Sequence, residues 1–107
     1  MDKYAPISFF VYNRPEKTQI SLKALEANEL SKNSDLFIFS DGAKDDKQDI
    51  FNVNEVRKII KHAKNFNHIE IIEREKNFGL YQNFTKGITE ICNRFEKVIV
   101  IEDDNEV

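Results

Sequence analysis

Residues 98–107 place the strongest constraint on how this chain can fold. Four apolar residues that favour strands, residues 98–101, run directly into three acids, Glu102, Asp103 and Asp104. Such an apolar run is typical of a parallel strand that is buried on both faces. The acids cannot follow it into the core, because burying unpaired carboxylates is very costly. The run therefore predicts an α/β sheet with acids just past the carboxyl end of one strand.

Two interpretations of these acids follow from their place in the chain. In open α/β sheets, ligands bind in the crevice beyond the carboxyl ends of the strands. Clustered carboxylate oxygens in that crevice suit Mg²⁺ or Mn²⁺ and, through the metal, a phosphate group. The alternative is a solvated, charged turn after a core strand. The segment alone leaves both interpretations open.

The rest of the chain alternates apolar runs with helix-forming segments. Residues 7–12, 36–39 and 69–72 predict three more strands, and residues 16–30 predict a helix whose first turn suits Pro15. Two further helices are predicted by apolar residues at helical spacing, namely Val53, Val56, Ile60 and Ala63, and then Leu80, Phe84, Ile88, Ile91 and Phe95. The alternation predicts a Rossmann-like parallel sheet of about four strands with alternating helices on its faces.

Length and composition limit the class of protein. The 107 residues fit one domain, residues 1–107. A composition of 33% charged and 40% hydrophobic residues is typical of a globular chain. A net charge of −3 argues against nucleic acid as the main partner, and no apolar run is long enough for a transmembrane segment. The lone Cys92 excludes an internal disulfide, and the first residues lack the pattern of a secretion signal. We therefore expect a cytoplasmic location.

Polar residues follow three of the predicted strands. Asn13 and Arg14 come after the first strand and Asp41 after the second, while the acidic triplet follows the fourth. The carboxyl ends of parallel strands lie at one edge of a sheet, so we expect the three clusters to lie on the same side. The acidic segment after the second strand, which includes Asp49, is predicted to be a polar loop.

The motifs at these strand ends resemble a known family. They read Tyr-Asn-Arg-Pro at residues 12–15, Ser-Asp-Gly at 40–42, Asn-Phe-Gly-Leu at 77–80, Asn-Phe-Thr-Lys-Gly-Ile at 83–88 and Glu-Asp-Asp at 102–104. In this order, over residues 7–107, they resemble the GT-A class of nucleotide-sugar glycosyltransferases. Within that class the chain is similar to family 2 enzymes, and its acidic triplet is similar to that of the N-acetylglucosaminyltransferase I type.

The resemblance implies a ligand, a metal and roles for particular residues. The ligand would be a nucleoside-diphosphate sugar, most often a UDP-sugar, with Mn²⁺ or Mg²⁺ bridging its diphosphate to the triplet. Asp104 would bind the metal, Asp103 would lie near the metal waters or the ribose, and Glu102 would lie near the hydroxyls of the donor sugar. Asp41 would accept a hydrogen bond from the base. Five other residues would line the nucleotide or diphosphate, namely Tyr12, Asn13, Arg14, Lys76 and Asn77.

Several of these residues also have a simpler structural interpretation. In this interpretation Asp41, which precedes a glycine, simply closes a turn, and Asn13 is the N-cap of the helix that begins near Pro15. Arg14, read alone, is typical of a surface residue. The segment around Lys76 and Asn77 can be an ordinary loop in which Gly79 takes a left-handed conformation.

In the family, the chain continues past the acidic triplet and there supplies the acceptor pocket. We therefore expect residues 1–107 to be the N-terminal, donor-binding half of a GT-A fold, with little or no transferase activity alone and an unknown acceptor. The face left bare would invite association with another chain. A non-catalytic module that binds a nucleotide or metal, or serves as an interaction surface, is the alternative. A phosphotransfer domain is disfavoured, because it would need acids just after the first strand, where this chain has residues 13–15.

Overall fold

The fold is an open parallel sheet with helices on both faces. A computed structural model describes residues 5–29, 31–94 and 99–102. The elements in chain order are β1 (Ile7–Val11), α1 (Pro15–Ala27), a 3₁₀ turn (Ser31–Asn33), β2 (Asp35–Ser40), α2 (Lys47–Ile60), β3 (His68–Glu73), α3 (Gly79–Cys92) and β4 (Ile99–Glu102). The strands are parallel in the order β3-β2-β1-β4. The predicted fold class, α/β with a Rossmann-like parallel sheet of four strands, is confirmed.

The described bounds refine the sequence prediction. The described strand ends differ from the predicted ones by one residue at most, because the apolar runs mark the strands clearly. The prediction that the run before the acids is buried on both faces was wrong: β4 is an edge strand of the described sheet, and Ile99 and Val100 are 47% and 39% exposed. Helix α1 ends at Ala27, earlier than the predicted residue 30. The prediction of a polar loop around Asp49 was wrong: α2 begins at Lys47, and Asp46 caps it by accepting the Asp49 backbone N–H at 3.2 Å.

Two apolar layers hold the sheet between its helices. Helices α1 and α2 pack on one face, where the buried residues are Ile7, Phe9, Val11, Leu22, Leu36, Ile38, Val56 and Ile60. Helix α3 packs on the other face, where its Ile91 joins Phe10, Phe37 and Phe39 of the strands in a second buried cluster. The rings of Phe10 and Phe39 stack at 5.0 Å. A Cβ on Gly87 would lie 2.8 Å from the Phe10 ring, so that glycine in α3 makes room for an aromatic side chain.

The strand order creates a topological switch point between β1 and β4. From β1 the chain moves outward through β2 and β3, and it then returns to pair β4 on the other side of β1. Ligands of open α/β sheets bind at such a point, beyond the carboxyl ends of the strands. We call the end of the sheet at which all four strands finish the carboxyl edge. Within the ranges that the structure describes, no helix is both long and apolar enough to cross a bilayer.

Candidate functional site

At the carboxyl edge, the residues that follow β1 are held by a buried acid of α2. The Tyr12 hydroxyl donates to Asp49 Oδ2 at 2.5 Å, and Asn13 Nδ2 donates to Asp49 Oδ1 at 2.7 Å. The Lys44 backbone N–H also donates to Oδ2, at 2.6 Å. Asp49 is 7% exposed, and its three donors come from the end of β1 and from the β2–α2 loop. One carboxylate therefore ties these two segments to the first turn of α2.

The electrostatics of this cluster fix which groups carry charge and protons. Burial acts most strongly to raise the pKa of Asp49, but hydrogen bonds from Tyr12, from the Lys44 backbone and from Asn13 outweigh it, and the pKa lies below its ordinary value. Burial raises the pKa of Tyr12, and the hydrogen bond to Asp49 and the charge of that carboxylate raise it further. At neutral pH, Asp49 is therefore an anion and Tyr12 a phenol that donates to it.

A second buried acid, Asp41, joins the end of β2 to the start of α3. Its Oδ1 accepts the backbone N–H groups of Gly42 and Phe78, both at 2.8 Å, and its Oδ2 accepts that of Gly79 at 3.1 Å. The Asn77 side-chain amide donates to Oδ2 at 3.4 Å. The N-cap residue of α3, Phe78, makes no side-chain cap, so Asp41 supplies the cap from another loop. The positive end of the helix dipole favours a carboxylate in this place.

The glycine after Asp41 allows two loops to cross in contact. A Cβ on Gly42 would lie 2.5 Å from the backbone C and O atoms of Lys76 and 2.9 Å from the carbonyl of Arg74. Asn77 Nδ2 closes the crossing by donating to the Gly42 carbonyl at 2.9 Å. Closing a local turn is thus only a small part of what the Asp41–Gly42 pair does. Gly79 has φ of 82°, which confirms the left-handed conformation predicted for it.

Two arginines connect the ends of β2 and β3 to the neighbouring helices. Arg57 of α2 donates to Ser40 Oγ at 3.0 Å and to the Arg74 carbonyl at 2.8 Å, and it also donates to the carbonyls of Ser40 and Asp41. Arg74 itself follows β3, with its guanidinium 5.0 Å from the centre of the Phe78 ring. The Asp41 N–H donates to the Val11 carbonyl at 3.1 Å, which links this group to the end of β1.

The other predicted site residues are placed as follows. Arg14, an exposed residue, is itself the N-cap of α1 and Pro15 is the first helical residue, so the alternative in which Asn13 caps the helix was wrong. Lys76 is exposed beside the Gly42 crossing. Glu102 is half-buried at the end of β4, in register with Phe10. Asp103 and Asp104 lie outside the described residues.

The described residues do not by themselves form a metal centre. Within residues 5–29, 31–94 and 99–102, no three His, Cys, Asp or Glu side chains lie close enough to hold an ion. Glu102 is the only member of the acidic triplet in these ranges. The metal prediction therefore continues to rest on the sequence of the triplet and on its place after β4.

Asp49 and Arg57 are the residues at this edge that sequence reasoning missed. A signal for Asp49 was present, because it precedes Val53, Val56 and Ile60 at spacings that continue their apolar stripe by one turn. An acid on the buried stripe of a helix predicts a satisfied, structurally important carboxylate. Arg57 had no comparable signal, since its acceptors are mostly backbone carbonyls contributed by two strand ends.

Comparison of the chain with protein-family models, with curated proteins and with solved structures finds no significant match.

Proposed function

We propose that the chain binds a nucleoside-diphosphate sugar at the carboxyl edge, between β1 and β4, as the donor-binding part of a glycosyltransferase. One observation carries the proposal: β1, which the Tyr-Asn-Arg segment follows, pairs with β4, the strand that leads into the acidic triplet, at the switch point of the sheet. Phe10, two residues before Tyr12, is paired with Glu102. The strands that lead into two of the motifs, residues 12–15 and 102–104, are thus neighbours in the sheet.

The segment after β1 would contact the nucleotide. The Asn13 amide nitrogen is used by Asp49, and its amide oxygen is an acceptor suited to a ribose hydroxyl or a base N–H. Tyr12 would present its aromatic ring to the nucleotide, because its hydroxyl is held by the hydrogen bond to Asp49. Arg14 supplies a guanidinium, which can form bidentate hydrogen bonds with phosphate oxygens that a lysine cannot reproduce.

The acidic triplet would hold the metal. Asp104 and Asp103 would provide carboxylate oxygens, and Glu102 would lie near the donor sugar. A bound Mn²⁺ or Mg²⁺ would stabilise the negative charge that develops on the leaving nucleoside diphosphate. The role of this chain's residues is to orient the diphosphate so that this charge forms beside the cation.

The base-binding role of Asp41 stays a prediction, and the site geometry sharpens what it requires. Three backbone N–H groups and one side-chain amide already donate to this carboxylate, which is 3% exposed. The Asn77 bond, at 3.4 Å, is the longest of the four. A base that reaches Asp41 would therefore replace the Asn77 amide and leave the backbone bonds in place.

Calorimetric titration of the chain with UDP, with and without MnCl₂, tests the proposal. We expect binding that requires Mn²⁺, and we expect Asp104→Ala to weaken it at least about tenfold through loss of a metal ligand. Glu106→Ala is the matched control, because it removes one carboxylate two residues further along and should change the affinity less than about twofold. Absence of binding for UDP and for other nucleoside diphosphates would overturn the proposal.

A transfer assay with a panel of nucleotide sugars addresses the catalytic part. Robust sugar transfer by these 107 residues would overturn the proposal that they supply only the donor-binding part. Metal-independent nucleotide binding together with no turnover would favour a non-catalytic binding module instead.

A further inference from the structure

We propose that Asp49 is a positioning residue that holds Tyr12 and Asn13 in the orientation in which they receive the nucleotide. The inference rests on the proposed function, because it assigns a task to a residue behind the nucleotide-contacting segment. Its basis is the pair of side-chain hydrogen bonds, 2.5 Å from Tyr12 and 2.7 Å from Asn13, that converge on one carboxylate.

The geometry separates Asp49 from the ligand. Asp49 is buried, and each of its oxygens already accepts hydrogen bonds from other residues of the chain. Tyr12 and Asn13, by contrast, are only half-buried and lie at the carboxyl edge. Asp49 therefore acts on a ligand through these two side chains and does not touch it.

Holding both side chains in advance improves binding for an entropic reason. A side chain that is free before binding loses rotamer freedom when it contacts a ligand, and that loss reduces the affinity. Asp49 fixes the Tyr12 hydroxyl and the Asn13 amide before any ligand arrives. It also fixes the orientation of the amide, since Nδ2 must face the carboxylate and Oδ1 must face away from it.

Isothermal titration with UDP and MnCl₂ measures the effect in variants of the full chain. We expect Asp49→Asn to weaken UDP binding about tenfold, since an amide cannot accept on both sides. Asp46→Asn is the matched control, because it removes the same charge from the same helix end, and asparagine still caps a helix. We expect that control to change the affinity less than about twofold.

A thermodynamic cycle distinguishes positioning from a general effect on folding. In a chain that already carries Tyr12→Phe and Asn13→Ala, Asp49 no longer has the two side chains through which it acts. We expect Asp49→Asn to change UDP affinity less than about twofold in that background. A merely structural contribution would lower the affinity equally in both backgrounds. If Asp49→Asn does not fold, Tyr12→Phe alone cuts one of the two links and should weaken binding about threefold.

The possible results separate the two proposals. If the unaltered chain binds no nucleoside diphosphate, the proposed function fails, and the role of Asp49 fails with it. If the unaltered chain binds UDP and Asp49→Asn binds it equally well, the proposed function stands and the positioning role is overturned. Equal losses in Asp49→Asn and Asp46→Asn, or equal losses in both backgrounds of the cycle, also overturn the positioning role.

Discussion

The Asp41 carboxylate accepts the backbone N–H of Phe78 at 2.8 Å, although the two residues are 37 positions apart in the chain. Phe78 begins α3 and offers no capping side chain of its own. The acid that follows β2 therefore caps α3, the helix that connects β3 to β4. Because of this bond, the end of β2 and the start of α3 are expected to move as one unit.

Truncation of this acid should destabilise the fold strongly. Asp41→Ala leaves the backbone N–H groups of Gly42, Phe78 and Gly79 without their acceptor in a buried place. We expect a loss of about 2–4 kcal/mol in the free energy of unfolding, as measured by urea denaturation. Asp45→Ala, at an exposed acid of the same loop, should cost less than about 0.5 kcal/mol. Similar losses for both variants would contradict the capping role.

Two glycines at this edge should respond differently to the same substitution. Gly42→Ala forces a Cβ to within 2.5 Å of the Lys76 backbone, which can move only if the loop crossing opens. Gly79→Ala meets no atom within 4 Å, but its φ of 82° is unfavourable for alanine. We expect about 1–2 kcal/mol of destabilisation for Gly79→Ala and more than that for Gly42→Ala, in urea denaturation. The reverse order would mean that the loops do not cross as described.

The stability of the chain should depend on pH through Asp49. Its pKa in the folded state lies below the ordinary value of 3.8, so the unfolded chain takes up the proton first as pH falls. The stabilisation is therefore present above about pH 4 and is lost as pH falls through the folded-state pKa. We expect the difference in unfolding free energy between the unaltered chain and Asp49→Asn to be greatest near pH 6 and to shrink below about pH 4.

Chemical denaturation at a series of pH values checks this dependence. The exposed Asp45 provides the comparison, since the difference caused by Asp45→Asn should stay small throughout. A constant gap between the unaltered chain and Asp49→Asn from pH 6 to pH 2 would show that the carboxylate charge does not carry the stabilisation.

Replacement of Arg57 should loosen the ends of β2 and β3. Its guanidinium donates to Ser40 and to the carbonyls of Asp41 and Arg74, and a lysine ammonium cannot span these acceptors. We expect Arg57→Lys to cost about 1–3 kcal/mol in thermal or urea unfolding. Lys58→Met removes an exposed ion pair with Glu55 from the next residue of the same helix and should cost at most about 0.5 kcal/mol. Equal effects would contradict a bridging role for Arg57.

Much of the fold could be read from the sequence because burial leaves a simple pattern. Strands such as residues 36–39 are apolar on successive residues, since both faces of the sheet are covered. Of the predicted helical stripe of Val53, Val56, Ile60 and Ala63, the first three residues are buried in α2, and Ala63 lies beyond the end of that helix. The end of α1 was placed too late, because residues 28–30 carry no strong stop signal and helix propensity alone sets no boundary.

The candidate site was predictable only in part. Parallel strands bring their carboxyl ends to one edge, so the placement of Asn13, Asp41 and Glu102 at the same edge of the sheet followed from the order of elements. What each side chain bonds to did not follow, because the partners of Asp41 and Asp49 lie up to 38 residues away. Both acids were visible in the sequence, but their capping and anchoring roles were not.

The sequence by itself determined an alternating α/β chain with polar residues at its strand ends, because periodic burial and turn chemistry are local properties. Tertiary structure alone decided that β4 returns beside β1, that Asp41 caps α3, and that Asp49 holds Tyr12 and Asn13. The physical reason is that a hydrogen bond depends on distances between atoms, and chain spacing does not set those distances until the sheet has formed.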